Sequence, residues 1–150
     1  MIRWRMIQMV GVAVCIPVLA ACSAGGYTET DMPPMVQAAC SEVAEVLGVY
    51  RFAHVERGTA TVAHPRTGAK VEACRITVPE FDSEKQGDPL KTVAEALHTR
   101  HWSEAPEFTG TDVVAMRSHG VICLTRATLG TGDGVPPLEV VSDCMFEEPS

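Results

Sequence analysis

Hydrophobic residues recur with helical spacing in two stretches of the chain. The first stretch follows Pro33 and Pro34, which suit a helix entrance, and it stops at Gly48. The second follows Asp88, a good N-cap, and Pro89. The two apolar stripes are Val36, Ala39, Cys40, Val43 and Leu47, and then Leu90, Val93, Ala94, Leu97 and His101. The pattern predicts two amphipathic helices.

Alternating and continuous apolar runs predict strands between and after these helices. Three runs lie between the helices, VYRFAHVERG, TATVAHP and VEACRITV, and the polar run PEFDSEKQGD predicts a loop. Three more follow the second helix, TDVVAMRSHG, VICLTRATLG and LEVVSDCMFEE. The predicted fold class is α+β, with two helices packed on an antiparallel sheet. Two α-β-β-β units, with Gly58 equivalent to Gly120 and Cys74 to Cys144, are an alternative description.

The N-terminus has the layout of a secretory signal peptide over residues 1–21. Arg3 and Arg5 precede an almost wholly apolar stretch from residue 6 to residue 21. A membrane-spanning helix needs about 20 apolar residues. This stretch is shorter, which disfavours a transmembrane anchor. Residues 22–34 are rich in Gly, Ser, Thr and Pro and predict a tether, and residues 35–150 predict a single α+β domain.

The segment Leu19-Ala20-Ala21-Cys22 resembles the bacterial lipobox. The resemblance implies that the Cys22 sulfur receives a diacylglycerol and that cleavage makes Cys22 the new N-terminus. Two acyl chains are enough for stable anchoring, which predicts a place on the extracytoplasmic face of the cell membrane. The chain is thus similar to the small cell-envelope lipoproteins of actinobacterial type. An ordinary signal peptide cleaved near Ala21 or Ala24 is the alternative.

The charge of the mature chain limits the classes of partner. Removing Arg3 and Arg5 from the 12 basic residues leaves 10 against 19 acidic ones, a formal net charge of −9. Nucleic-acid binding requires a basic surface, so a nucleic-acid partner is not expected. Binding to anionic lipid headgroups is equally disfavoured. The acyl chains predicted on Cys22 are therefore expected to hold the protein to the membrane.

Cysteine usage predicts two disulfides in the domain. Without Cys15 and Cys22, an even number of cysteines remains in a small exported domain. A hairpin centred on Asp133-Gly134 would place Cys123 opposite Cys144, and Cys40–Cys74 is then the other pair. A structural zinc site is the alternative, although the chain contains no CxxC pair.

Candidate chemistry in the sequence is sparse. His98 and His101 are weak metal-ligand candidates at i, i+3, with Glu104 as a third ligand, but imidazoles at a helix C-terminus also have a structural role. Ser118-His119-Gly120 lacks the glycines of a nucleophile elbow. No catalytic residue and no cofactor is predicted.

Aromatic residues in polar loops can either bind a partner protein or cover the ends of the hydrophobic core. These residues are Phe81, Trp102 and Phe108. Together with the lipobox, the sequence favours a non-enzymatic binding or scaffold module of the envelope. The alternatives are a metal-binding envelope protein that uses His98 and His101, and a hydrolase whose site converges only in three dimensions.

Overall fold

The computed structural model describes residues 31–48, 54–129 and 138–148, which form one antiparallel sheet with the two longer helices on one face. The elements are α1 (Pro34–Gly48), β1 (Glu56–Ala63), β2 (Lys70–Phe81), α2 (Ser83–Gln86), α3 (Pro89–Thr99), β3 (Ser103–Glu104), β4 (Val113–Ser118), β5 (Val121–Leu129) and β6 (Leu138–Phe146). The strand order is β1-β2-β6-β5-β4-β3. The predicted α+β class is confirmed.

The helix α1 carries the predicted apolar stripe into the core. It begins at Pro34, where a missing amide costs no helical hydrogen bond, and it ends at Gly48. The predicted stripe is buried, and one further valine joins it. The buried residues are Val36, Ala39, Cys40, Val43, Val46 and Leu47. The prediction of the first helix is confirmed.

The helix α3 begins as predicted but ends earlier. The Asp88 carboxylate accepts a hydrogen bond from the Leu90 backbone amide at 2.9 Å, which caps the first turn. The last helical residue is Thr99, and His101 has a positive φ of 66°. The expectation that His101 continues the apolar stripe is therefore wrong. The chain changes direction at His101, which is exposed, and Trp102 enters the core instead.

The polar run after β2 is partly strand and partly helix. β2 continues to Phe81, which is buried, and its pairing with β6 shifts register between Val78 and Phe81. Pro79 lies in that shift, and a residue without an amide to donate is typical of a bulge. The Asp82 side chain then caps the short helix α2 by accepting from the Lys85 amide at 3.2 Å. The bulge interrupts the alternation of buried and exposed residues in β2. The sequence pattern therefore did not show that the strand continues, and the polar residues predicted a loop.

The described strands do not divide into two α-β-β-β units. β1 runs through Gly58, whereas Gly120 lies in the turn between β4 and β5, so the equivalence of the two glycines is wrong. The predicted strand that starts at residue 49 includes residues 49–53, which lie outside the described residues. Within the described chain two strands follow α1 and four follow α3, and all of them join a single sheet.

Both predicted disulfides are present. Cys40–Cys74 joins α1 to β2, and Cys123–Cys144 joins β5 to β6, which excludes the zinc alternative. Cys123 lies directly opposite Cys144, as the predicted register requires, although the expected turn at 133–134 lies outside the described residues. Cys144 is also opposite Cys74 on β2, so three half-cystines form a row across the sheet.

The two faces of the sheet are covered differently. On the helix face, α1 and α3 close the larger core, which includes Ile76 and Val140. The opposite face, called the outer face below, carries a smaller apolar cluster to which neither α1 nor α3 contributes a residue. That cluster consists of Ala73, Ala105, Ala115, Ile122, Leu124 and Met145. Among the described residues, four arginines lie on this face: Arg66, Arg75, Arg117 and Arg126.

Candidate functional site

A small groove lies between the first turns of α1 and the turn that joins β4 to β5. Its volume is about 150 Å³. That volume admits one side chain, and it is below the roughly 300 Å³ at which small-molecule sites begin. The lining residues are Met35, Ala38, Ala39, Glu42, Trp102, Ser118 and His119. The groove is therefore suited to a single anchoring group.

One wall of the groove is a face of α1. Met35, Ala39 and Glu42 lie at i, i+4 and i+7, so they share one side of the helix. Met35 is 49% exposed, whereas the other large hydrophobic side chains that the structure describes are buried or half-buried. A flexible thioether at the mouth of a groove is typical of surfaces that adapt to a partner.

The opposite wall depends on a tight turn. Ser118 pairs with Val121, so only His119 and Gly120 connect β4 to β5. Both connecting residues have positive φ, at 49° and 76°. This combination defines the mirror-image turn whose twist matches a hairpin, and glycine adopts it without a steric penalty. The turn places Ser118 and His119 on the groove.

The base of the groove is fixed by a hydrogen bond between two elements. The Trp102 side chain is buried, and its Nε1 donates to Glu42 Oε2 at 2.7 Å. A buried indole N–H needs an acceptor, so Glu42 satisfies Trp102 and links α1 to the segment after α3. The same carboxylate places a negative charge in the lining of the groove.

Ser118 and His119 form a polar pair at the edge of the groove. Ser118 Oγ and His119 Nδ1 lie 2.7 Å apart. A serine nucleophile needs a histidine base that a third group orients. Glu42, the carboxylate that lines the groove, is bonded to Trp102 instead. The pair therefore offers hydrogen bonds to a bound group, and the described geometry does not form a triad.

A wider, shallower cavity of about 390 Å³ lies at the N-terminal end of α3. Asp88 and Asp112 make its rim acidic, and none of its lining residues is basic. The Asp88 carboxylate is already used by the helix, because it accepts from the Leu90 amide. We assign no ligand to this cavity.

The candidate metal ligands do not converge in the described chain. His98 lies exposed in the last turn of α3, His101 lies exposed beyond the helix end, and Glu104 lies exposed in β3. Among the described residues, no three His, Cys, Asp or Glu side chains come together as a metal site would require. An exposed imidazole in the last helical turn fits the structural alternative for His98.

The aromatic residues of the polar loops pack into the molecule. Phe81 and Trp102 are buried, and Phe108 is half-buried below the Arg66 guanidinium, whose carbon lies 5.6 Å from the ring centroid. The core-capping interpretation therefore holds for these side chains. The exposed apolar side chain that the sequence pattern did not indicate is Met35, which precedes the buried Val36 and lies outside the predicted stripe.

Cys22 and the rest of the predicted signal peptide and lipobox lie outside the described residues. In the part of the chain that the structure describes, no helix is both long enough and apolar enough to span a membrane.

No family model, curated protein or solved structure matches this chain.

Proposed function

We propose that the protein is a lipid-anchored binding module of the cell envelope whose groove receives an apolar side chain of a partner protein. The observation that carries this proposal is the groove of about 150 Å³, with Met35 exposed at its mouth. Side chains that fill such pockets dominate the affinity of many protein interfaces. Ser118 and His119 supply a polar rim around the pocket, as interfaces commonly have.

The position of the groove supports a partner close to the membrane. Cys22 and Pro34 are 12 positions apart in the sequence, so a connection from a lipidated Cys22 would reach at most about 40 Å. Met35 lies in the first turn of α1, directly after that connection. A partner that reaches the groove is therefore expected to lie in the same membrane or against it.

The charge around the groove indicates the chemistry of the partner. Glu42 lines the groove, and the mature chain has the excess of acidic residues noted above. An acidic partner would be repelled. The expected ligand is an apolar side chain flanked by basic residues or hydrogen-bond donors.

Site-specific photo-crosslinking in cells tests the proposal. A photoreactive residue at position 35 is expected to capture one discrete envelope protein in the membrane fraction. The same residue at Glu95, an exposed position on α3, is the matched control and is expected not to capture that protein. Filling the groove with Ala38→Trp, in the chain with the probe at position 35, is expected to abolish the capture. Equal capture from both positions, or capture that survives Ala38→Trp, would contradict the groove as the binding site.

A Cys22→Ser variant in the same cells tests the anchor separately. Without the acceptor sulfur, the chain is expected to leave the membrane fraction and to lose the partner. Membrane fractionation that is unchanged in Cys22→Ser would disprove the lipid anchor while leaving the groove experiment interpretable.

A further inference from the structure

A buried carboxylate holds two arginines together on the outer face. Asp143 on β6 is fully buried, Arg75 lies directly opposite it on β2, and Arg126 lies on β5. Arg75 Nε and Nη2 donate to Asp143 Oδ1 and Oδ2 at 2.7 and 2.9 Å. Arg126 Nη1 donates to the same Oδ2 at 3.3 Å. One carboxylate therefore orients both guanidinium groups.

Both guanidinium groups keep N–H donors beyond those that Asp143 accepts. Asp143 takes two hydrogen bonds from Arg75 and one from Arg126, and a guanidinium has more donors than that. The two arginine side chains are 40% and 44% exposed, so the remaining donors can reach solvent. Because Arg75 Nη2 and Arg126 Nη1 donate to the same oxygen, Asp143 Oδ2, these two nitrogens lie close to each other around it.

Two carboxylates, Asp143 and Glu139, lie near the two arginines, but within the described residues only Asp143 forms hydrogen bonds with them. The hydrogen bond to Asp143 is the main cause that raises the pKa of Arg75 above its ordinary value, so this arginine stays charged. Glu139, on the same strand as Asp143, also acts on Arg75 through its charge. Glu139 is half-buried, and in the described chain neither arginine donates a hydrogen bond to it. Asp143 and Glu139 formally balance the two arginine charges, but only Asp143 accepts hydrogen bonds from them, so the remaining guanidinium donors have no bonded carboxylate in the part of the chain that the structure describes.

We propose that Arg75 and Arg126 form a binding site for an oxyanion with two coplanar oxygens, a carboxylate or a phosphate group. Guanidinium groups recognise both through paired hydrogen bonds. Asp143 holds the two groups in place before the anion arrives, which reduces the ordering cost of binding. The site lies on the face of the sheet opposite α1 and does not depend on the groove or on its proposed function.

Titration of the full-length protein with inorganic phosphate and with acetate, followed by NMR and calorimetry, tests the site. Saturable binding of at least one anion is expected, and Arg126→Gln is expected to weaken it by about tenfold. Arg100→Gln is the matched control, because Arg100 also donates to a carboxylate, Glu45 Oε2 at 2.9 Å, but lies on α3's side of the molecule. That control is expected to bind as the unaltered protein does.

Glu139→Gln provides a second variant whose expected effect has the opposite sign. Removing the competing negative charge should strengthen anion binding a few-fold, and a damaged fold cannot imitate such a gain. Tighter binding of phosphate would assign the site to phosphate groups, and tighter binding of acetate would assign it to carboxylates. The proposal is overturned if neither anion binds saturably, or if all the variants bind with the same affinity.

Discussion

The two faces of the sheet are stabilised by different interactions. On the helix face, α1 and α3 cover apolar side chains, and both disulfides lie inside that core. On the outer face, partly buried apolar side chains pack against a smaller apolar cluster, and a buried carboxylate pairs with two arginines. One face of the sheet is thus held by apolar packing and disulfides, and the other combines a smaller apolar cluster with ion pairs.

The helix face combines packing with crosslinks at the same place. Cys74, Cys144 and Cys123 lie in a row across β2, β6 and β5, and Cys40 reaches the row from α1. All four are buried. The crosslinks therefore lie within the larger apolar core, and water has no access to them in the folded state.

The apolar cluster of the outer face is covered by partly buried side chains from the strands and from the segment after β3. Ala73 and Ala115 leave the floor of this face shallow, so Ile122 and Leu124 are covered without a second layer of helices. Arginine stems can cover such residues while the charged ends stay in contact with water. This face should thus respond to charge and salt more than the helix face does.

The largest expected effect comes from removing the disulfides of the helix face. Cys40→Ala/Cys74→Ala opens a loop with a sequence separation of 34, and Cys123→Ala/Cys144→Ala opens one of 21. The loss of chain constraint predicts decreases in the free energy of unfolding of about 4 and about 3 kcal/mol. Denaturant unfolding of both double variants measures these values.

Alkylation of the native protein without reductant is the control for that experiment. None of the four domain cysteines should be modified, since all are in buried bridges. If both double variants lost less than about 1 kcal/mol, the stability of the helix face would come from packing and not from the crosslinks.

A smaller effect is expected from the central charge of the outer face. Asp143→Asn removes the negative charge that two arginines share and leaves them repelling each other. The arginines can turn toward water, so we expect a loss of about 2 kcal/mol in the free energy of unfolding. Thermal or denaturant unfolding measures it, and added salt should reduce the loss by screening the two arginines.

Glu95→Gln is the matched control, because Glu95 is exposed and pairs with Lys91 across one helical turn at 3.9 Å. Its expected effect is close to zero. A loss for Asp143→Asn as small as that of the control would mean that the outer face does not need its carboxylate.

Most of the helix face could be predicted from the sequence because burial there follows spacing. The stripe of α1 and the alternation of Cys74, Ile76 and Val78 both appear in the structure. The hairpin register centred on Asp133-Gly134 predicted the pair Cys123–Cys144, and Cys40 and Cys74 were then left at core-facing positions. The end of α3 was missed because a left-handed histidine, His101, reverses the chain without a glycine to signal it.

The outer face and the groove depend on contacts that spacing does not reveal. Arg75 alternates with buried residues and therefore looks like a solvent-facing residue of a strand. Its partner Asp143 is 68 positions away, so only the pairing of β2 with β6 brings them together. The groove likewise needs α1 to pack beside a turn formed by His119, which no local pattern predicts.

The smallest expected effect concerns acid sensitivity at the rim of the outer face. Glu107 is bonded to Arg117, which also donates to Glu147 Oε1 at 2.6 Å. A hydrogen bond from its own backbone N–H, followed by the bond from Arg117, lowers the pKa of Glu107. A carboxylate whose pKa is lower in the folded state contributes stability above its unfolded pKa. That contribution is lost as the pH falls through the folded pKa.

Glu107→Gln should therefore lower stability slightly at neutral pH and not at all at a pH below the folded pKa of Glu107. The difference in unfolding free energy between the protein and this variant should shrink steadily across the acid range. Denaturant unfolding at a series of pH values measures it, with Glu148→Gln, an exposed glutamate next to Glu147, as control. A difference that stayed constant with pH would show that the side chain acts through packing. The outer face would then be less electrostatic than its arginines indicate, because the Arg117 pair would carry no charge-dependent stability.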